Sequence, residues 1–388
     1  MGVLHEHERP SLPPRLGRQG HLPIFANRLL WPLPCSVTEG DGQRRRLAEA
    51  EPPPTIRDIA EIAGVAISTV SRALSNPGRV NARTRSRVEA IAAELNYVPS
   101  SNGRALRSGR TNRVALLVPD VTNPFYFDLI RATQRELKAA GYTQILVDTE
   151  ESADAEADAF RMLRSSVDGF ILAASRLEDH ALTERAATVP FVIINRTSPR
   201  VPQVLIDSLD GYRQVLEHLY SLGHRRFAYV GPSDSWMSDQ RWNALEQKAQ
   251  ELDMIAVQVS GFNPLFTSGA AAGDAFLRTG ATACLASNDL LAIGILKRFQ
   301  ERGIRVPEDV SIVGCDDTFA AIICHPPLTT ITEPIEEAGR LATLMLLSRL
   351  RSDRKTGIRD HIVLPTHLTV RGTTGPCTQE ARDKGGPS

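Results

Sequence analysis

Apolar residues recur along the chain with two different periods, and the change near Arg113 divides it. From Thr55 to about Asn96 the spacing is helical. Ile56, Ile59, Ala60 and Ala63 fall on one face. Thr55-Ile56-Arg57-Asp58 opens that face with a capping-box pattern, in which the Thr hydroxyl satisfies a free first-turn amide. Gly64-Val65 interrupts, and a second helix over about 67–75 sets Val70 and Leu74 one turn apart. Asn81 is placed to cap a third helix, with Val88, Ile91, Ala92 and Leu95 facing inward before Tyr97 and Pro99 end it. Three short helices, the first two joined by a tight Gly turn, form the pattern of a helix-turn-helix.

Beyond Arg113 the runs become short, apolar and β-rich: 114–118, 145–148, 170–173, 191–195, 204–207, 227–231, 283–287 and 311–314. Amphipathic stretches at 128–140, 212–222 and 290–302 separate many of them, and Gly141, Gly223 and Gly303 stand where helix C-caps are expected. Near-continuous apolar strands alternating with helices imply parallel sheets covered on both faces. About 260 residues of this pattern predict two doubly wound lobes with a cleft between them. The expected organisation is a Pro-rich, disordered extension over 1–54, a helix-turn-helix domain over 55–99, a hinge over 100–112, a two-lobed body over 113–374 and a disordered tail over 375–388.

Charge sharpens this division. The 388 residues carry 45 basic and 45 acidic side chains, a net charge of zero. Yet residues 55–113 hold ten arginines, no lysine and four carboxylates (Asp58, Glu61, Glu89, Glu94), a module of net charge +6 in a chain whose remainder carries −6. That is the electrostatic footprint of DNA binding. Five cysteines lie scattered without a CxxC pair, giving neither a zinc site nor a disulfide framework and suiting a reducing cytoplasm. No run reaches the roughly 18 apolar residues of a membrane span. The mildly apolar 22–35 stretch is broken by Arg28 and three prolines, so no export signal is expected.

In a helix-turn-helix the second helix enters the major groove, N-terminal residues foremost. Here Ile67, Ser68 and Arg72 point outward from its leading edge. Arg72 can donate two hydrogen bonds to guanine, worth roughly 1–3 kcal/mol of discrimination, and Ile67 can meet a thymine methyl. Thr55, Thr69, Ser71 and Asn81 are short polar groups suited to phosphates, which fix register. Ser101-Asn102-Gly103-Arg104-Ala105-Leu106-Arg107 is too short to fold alone. With Arg104, Arg107 and Arg110 flanking it, DNA is its expected template, and Leu106 a wedge for a minor-groove base step.

These residues carry a resemblance. Thr55-Ile56-Arg57-Asp58-Ile59-Ala60 through Gly64-Val65, then Ser68-Thr69-Val70-Ser71-Arg72-Ala73-Leu74, resemble the DNA-binding domain of the lactose-repressor (LacI/GalR) family. So do Leu95-Asn96-Tyr97-Val98-Pro99, Arg104-Ala105-Leu106, Asn123-Pro124-Phe125, Leu222-Gly223-His224-Arg225, Ser287-Asn288-Asp289, Gly314-Cys315-Asp316-Asp317 and Pro327-Leu328-Thr329-Thr330-Ile331. The match spans about 55–374. Ala66 departs from it, since the family often has Ser there, and Ala as a cap costs roughly 1 kcal/mol.

The resemblance implies a periplasmic-binding-protein-like α/β body with a small-molecule effector between its lobes. Phe125 and Tyr126, Arg241, Asn288-Asp289 and Asp316-Asp317 follow strand exits that would converge there. Family position marks Arg241 and Asp316 for the effector, with Asn288 and Phe125 next and Trp236 or Trp242 as a stacking face. Asp289 and Asp317 also read as turn caps. A homodimer on a pseudo-palindromic operator is expected, with a sugar-like effector biasing its DNA affinity; most such relatives are repressors released by a sugar. No leucine heptad follows Gly375, so a dimer rather than a tetramer is expected. No GxGxxG, P-loop or nucleophile–base spacing stands out, and His5, His7 and His325 form no metal set, so no cofactor, metal or catalysis is expected. Two other classes stay open: an exported solute-binding protein, which would have no use for 55–110, and a sugar-processing enzyme, which would show turnover.

Overall fold

The computed structural model describes residues 54–75, 77–97, 109–233, 236–351 and 360–377. The expected hinge residues Arg104 and Leu106, and the N-terminal extension up to residue 53, lie outside the described residues. Two compact units divide the chain, one ending at Tyr97 and one beginning at Val98.

In the first unit, α1 (Ile56–Ile62), α2 (Ile67–Ser75) and α3 (Ala82–Glu94) follow in order. The Thr55 hydroxyl accepts from the Arg57 amide, and the Asp58 carboxylate accepts from the Thr55 amide at 2.6 Å, so the capping box closes in both directions. The α1–α2 turn depends on Gly64, whose φ of +57° is left-handed, and the Val65 amide then closes onto the Ala60 carbonyl at 3.0 Å. Asn81 caps α3 through the Arg83 amide at 2.9 Å. The core is small: Ile59, Ala60, Ala63, Val70, Ala73, Val88 and Ala92 are buried, with Leu74, Ile91 and Leu95 packed around them.

The second unit holds two six-stranded sheets. β1 (Arg113–Val118), β2 (Thr143–Asp148), β3 (Gly169–Ala173), β4 (Phe191–Ile194), β5 (Gln203–Asp207) and β11 (His361–Pro365) form the first, in the order β11-β5-β4-β3-β1-β2. β6 (Arg226–Val230), β7 (Ile255–Val259), β8 (Ala283–Ala286), β9 (Ser311–Asp316), β10 (Thr329–Thr332) and β12 (His367–Thr369) form the second, in the order β12-β10-β9-β8-β6-β7. Every recorded pairing is parallel except that of β12 with β10. Val114 to Val118 and Gly169 to Ala173 are buried throughout, as a sheet covered on both faces requires. Each such Val, Leu or Ile contributes roughly 1.5–3 kcal/mol by its burial.

Around the sheets lie α4 (Phe125–Ala139), α5 (Ala153–Leu163), α6 (Asp179–Ala186), α7 (Ser208–Ser221), α8 (Trp236–Glu251), α9 (Gly269–Leu277), α10 (Asp289–Glu301), α11 (Phe319–Ile323) and α12 (Ile335–Leu350). Gly141, Gly223 and Gly303 all have positive φ just beyond α4, α7 and α10, as the sequence predicts. Four strands were not anticipated. β7 and β11 are half-exposed edges, β12 is three residues long, and β10 is Thr-rich. Its buried Thr329 and Thr330 are tolerated because their hydroxyls bond Thr374 and Asp289.

The chain passes between the lobes three times, after β5, after β10 and after β11. The first and third passages are tied together. Thr366 Oγ1 donates to the Asp207 carbonyl at 2.7 Å and accepts from the Gly211 amide at 3.1 Å. Gly211 permits this approach, since a Cβ there would stand 2.5 Å from Ile331 Cγ2.

Candidate functional site

On α2, Ile67 is 46% exposed, and Ser68 and Arg72 are exposed beside it. Arg72 folds back along the helix, with Nε donating to the Ser68 carbonyl at 3.1 Å and Nη2 to its hydroxyl at 3.2 Å. The three residues therefore share one solvent-facing edge, while Val70 and Ala73 on the opposite side fill the core. Thr69 and Ser71 are half-buried at the flanks, and Thr55 and Asn81 are exposed at the starts of their own helices, where their oxygens cap. Ala66 brings no side-chain acceptor to the start of α2; its carbonyl accepts from Thr69 and Val70.

The second unit has a cleft of about 1000 Å³ at the strand ends of both lobes. Of the residues marked in the sequence, Phe125, Tyr126, Arg241, Asn288 and Asp316 line it. Trp236 opens α8, which also carries Arg241. Trp242 is not a cleft residue: it packs on the core cluster of Tyr212, Leu216 and Leu245, because one residue beyond Arg241 a helix has turned to its inner face.

Arg241 is the centre of the second lobe's wall. Its Nη1 donates to the Ser287 carbonyl at 3.1 Å and its Nη2 reaches Glu333 Oε1 at 3.4 Å, while its Cζ lies 5.5 Å from the centroid of the Tyr212 ring. Its Nε is buried with no hydrogen-bond acceptor, and the Ser287 hydroxyl beside it is likewise buried and unpartnered. Buried donors without partners are costly, so two such groups on one cleft wall mark a place where a ligand acceptor fits. Asn288 is less available. Its Oδ1 caps α10 through the Leu291 amide and its Nδ2 donates to the Pro264 carbonyl, so it shapes the wall with both ends engaged.

Asp316 holds its backbone at a φ of +120° and Asp317 at +56°, a strained strand exit that turns these neighbours to different tasks. Asp316 lines the cleft, and burial pushes its carboxyl well above the usual range, with Asp289 and Glu333 adding to the effect. Asp317 binds Arg371 and accepts from the Thr332 hydroxyl, a structural role. Asp289 is completely buried and accepts from the Thr318 amide and the Thr330 hydroxyl. Gly314 makes room for it: a Cβ there would lie 2.3 Å from Asp289 Oδ1.

Sequence spacing missed two features. Glu333, between β10 and α12, reaches Arg241 and accepts from the Cys315 thiol at 3.3 Å, although nothing in its local sequence marks it. Oxygen and sulfur ligand atoms of Cys315, Asp316 and Glu333 also lie within 4.8 Å of one another. The Arg241 guanidinium already reaches the same Glu333 carboxylate, which opposes a second cation there. The first lobe adds Arg176 and Arg196 after β3 and β4, equally unmarked in the sequence. Among the described residues no helix is long and apolar enough to cross a membrane.

Comparison with known proteins places both units. Residues 55–100 match the model of bacterial regulatory proteins, lacI family, and 216–374 match a periplasmic binding protein-like domain. The HTH-type transcriptional regulator DegA of Bacillus subtilis is 34% identical over 335 residues, which cover 83% of this chain and 98% of DegA. The lac repressor dimer bound to operator and the anti-inducer ONPF superposes with a TM-score of 0.74 at 27% identity, covering 84% of this chain and all of that one. A complex of the transcriptional regulator CelR with cellobiose gives 0.60 at 30% identity, covering 82% and 99%. With an exposed edge on the second helix of a helix-turn-helix, a cleft between two α/β lobes and a relative matched over nearly its whole length, the chain belongs to the lacI family of bacterial regulatory proteins.

Proposed function

We propose that this protein is a cytoplasmic, dimeric transcriptional repressor whose grip on operator DNA is set by a sugar-like molecule in the interlobe cleft. The observation that carries this reading is the pairing, in one chain, of the exposed Ile67–Ser68–Arg72 edge with a cleft walled by Arg241 and Asp316. Ile67, Ser68 and Arg72 read bases in the major groove, while Thr55, Thr69, Ser71 and Asn81 hold phosphates. Arg104 and Leu106, outside the described residues, take the minor groove. In the cleft, Arg241 and Asp316 engage ligand hydroxyls, Phe125 and Tyr126 provide apolar surface, and Asn288 shapes the wall; the Trp236 side chain, expected as a stacking face, lies outside the described residues.

One helix-turn-helix covers little DNA, so two copies on a pseudo-palindromic site supply the affinity. A surface for pairing is present on the body, where α11 exposes Phe319, Ile322 and Ile323, the last to 74%. The bound molecule acts as a signal rather than a substrate. Operator selection from random duplexes, followed by gel shifts with each stabilising sugar, tests the whole reading. Loss of binding to a selected palindrome on adding the sugar supports it; equal binding to random DNA throughout refutes it.

A further inference from the structure

The two walls of the cleft differ in charge. On the first lobe Asp120, Asp148, Glu150, Glu151 and Glu178 line it against two arginines, Arg176 and Arg196. Both arginines are engaged by the protein itself: Arg176 pairs with Glu151, and Arg196 donates to the Leu177 carbonyl and to Asp179. Asp120 and Asp148 are held by backbone amides, Thr122 of its own loop for the one, and Glu150 of its own loop and Val121 of the loop after β1 for the other. Glu150 and Glu178 are exposed, and among the described residues neither carboxylate has a hydrogen-bond or ion-pair partner. On the second lobe the Arg241 charge is directed at Glu333.

We infer that this wall is an electrostatic filter, and that the effector is a polyhydroxylated molecule without an anionic group, either uncharged or bearing an amine. The inference rests on the cleft being the effector site. A phosphate or carboxylate entering it would face a net three negative charges on the first lobe with no uncommitted cation to receive it. Because these carboxylates line one shared cleft their fields add, which makes the discrimination about tenfold at low salt. The unpartnered Arg241 Nε and Ser287 Oγ can be met by hydroxyl or ring oxygens, so such a molecule satisfies them without bringing an anionic group.

The test uses the full chain and a panel of aldoses, polyols, disaccharides and nucleosides. Each is matched with an anionic counterpart, such as glucose with glucose 6-phosphate and ribose with ribose 5-phosphate, and with an amino form where one exists. Thermal shift and calorimetry at low and moderate salt give the affinities. The expected result is a neutral or amino member that binds at least about tenfold more tightly than its anionic counterpart, a ratio that shrinks as salt rises. In the double variant Glu150→Gln, Glu178→Gln the anionic member should gain about fivefold or more relative to its neutral parent. An anionic member binding as tightly as its parent, or a ratio unchanged in the double variant, overturns the filter but leaves the cleft as the effector site. If no member binds, the filter falls together with the reading of the cleft.

Discussion

Arg241 Nη2 stands 3.4 Å from Glu333 Oε1, with the guanidinium side chain 14% exposed and the carboxylate 1%. Glu333 lies on the second passage between the lobes, between β10 and α12. One ion pair thus joins a cleft-facing cation to a segment that passes between the lobes.

Replacing Glu333 by Gln keeps an acceptor for Arg241 but removes the charge that balances a buried cation. The variant should be destabilised by about 1–3 kcal/mol, and Glu333→Ala by more, since removing one partner of a buried pair costs roughly 3–5 kcal/mol. Urea melts of both variants check this. A Glu333→Ala variant as stable as the parent contradicts the role given to the pair.

Arg72→Ala should lose about 1–3 kcal/mol of operator preference while retaining weaker binding that falls steeply with salt. In the free protein Arg72 rests on Ser68, so the substitution removes no core contact and the melting temperature should stay within a few degrees. Gel shifts against operator and random duplexes decide it, and an unchanged operator-to-random ratio would sink the assignment.

Ala66→Ser supplies the hydroxyl that the start of α2 lacks. The gain should be roughly 1 kcal/mol in the first unit, read as slower amide exchange across α1 to α3. No gain in exchange protection means that the cap geometry at Ala66 does not accept a side-chain oxygen.

Burial pushes the Asp289 carboxyl up to about 7, although the donors on Thr330 and Thr318 pull it down. A group whose folded pKa is raised contributes stability fully below its unfolded value, near 3.8, and loses it as pH rises toward 7. The stability of the parent relative to Asp289→Asn should therefore be greater at pH 5 than at pH 8, by about 2–3 kcal/mol. Denaturant melts at the two pH values measure it; a gap unchanged between pH 5 and pH 8 would mean that the carboxylate is ionised throughout.

Gly314→Ala pushes a methyl into the space of Asp289 Oδ1 and should cost about 1–3 kcal/mol. The same change made with Asp289→Ala, which clears the crowded oxygen, tests whether the two costs overlap; simple additivity would show that Gly314 serves some other neighbour.

The three DNA-binding helices were legible in the sequence because each carries its own start signal and a 3.6-residue apolar period. Buried strands such as β1 and β3 were legible as unbroken apolar runs. The edges were not: β7 and β11 are half-solvated, and β10 is a run of threonines whose hydroxyls find partners only after folding. Asp316 stands within a family-like string and Arg241 is marked by family position alone, whereas Glu333, Arg176 and the acidic first-lobe wall come together only through topology. Glu333 meets Arg241 across 92 positions of chain, a distance no local pattern records.

β11 and α12 belong to the first lobe but are encoded after almost all of the second. During synthesis, β5 therefore waits with an open edge, and α4 waits for α12 to cover it, until residue 365 is available. The first lobe begins first and finishes last. A chain ending after β10 would leave that lobe with a bare strand edge and an uncovered apolar helix, so the last stretch of polypeptide decides whether the sensing body assembles or aggregates.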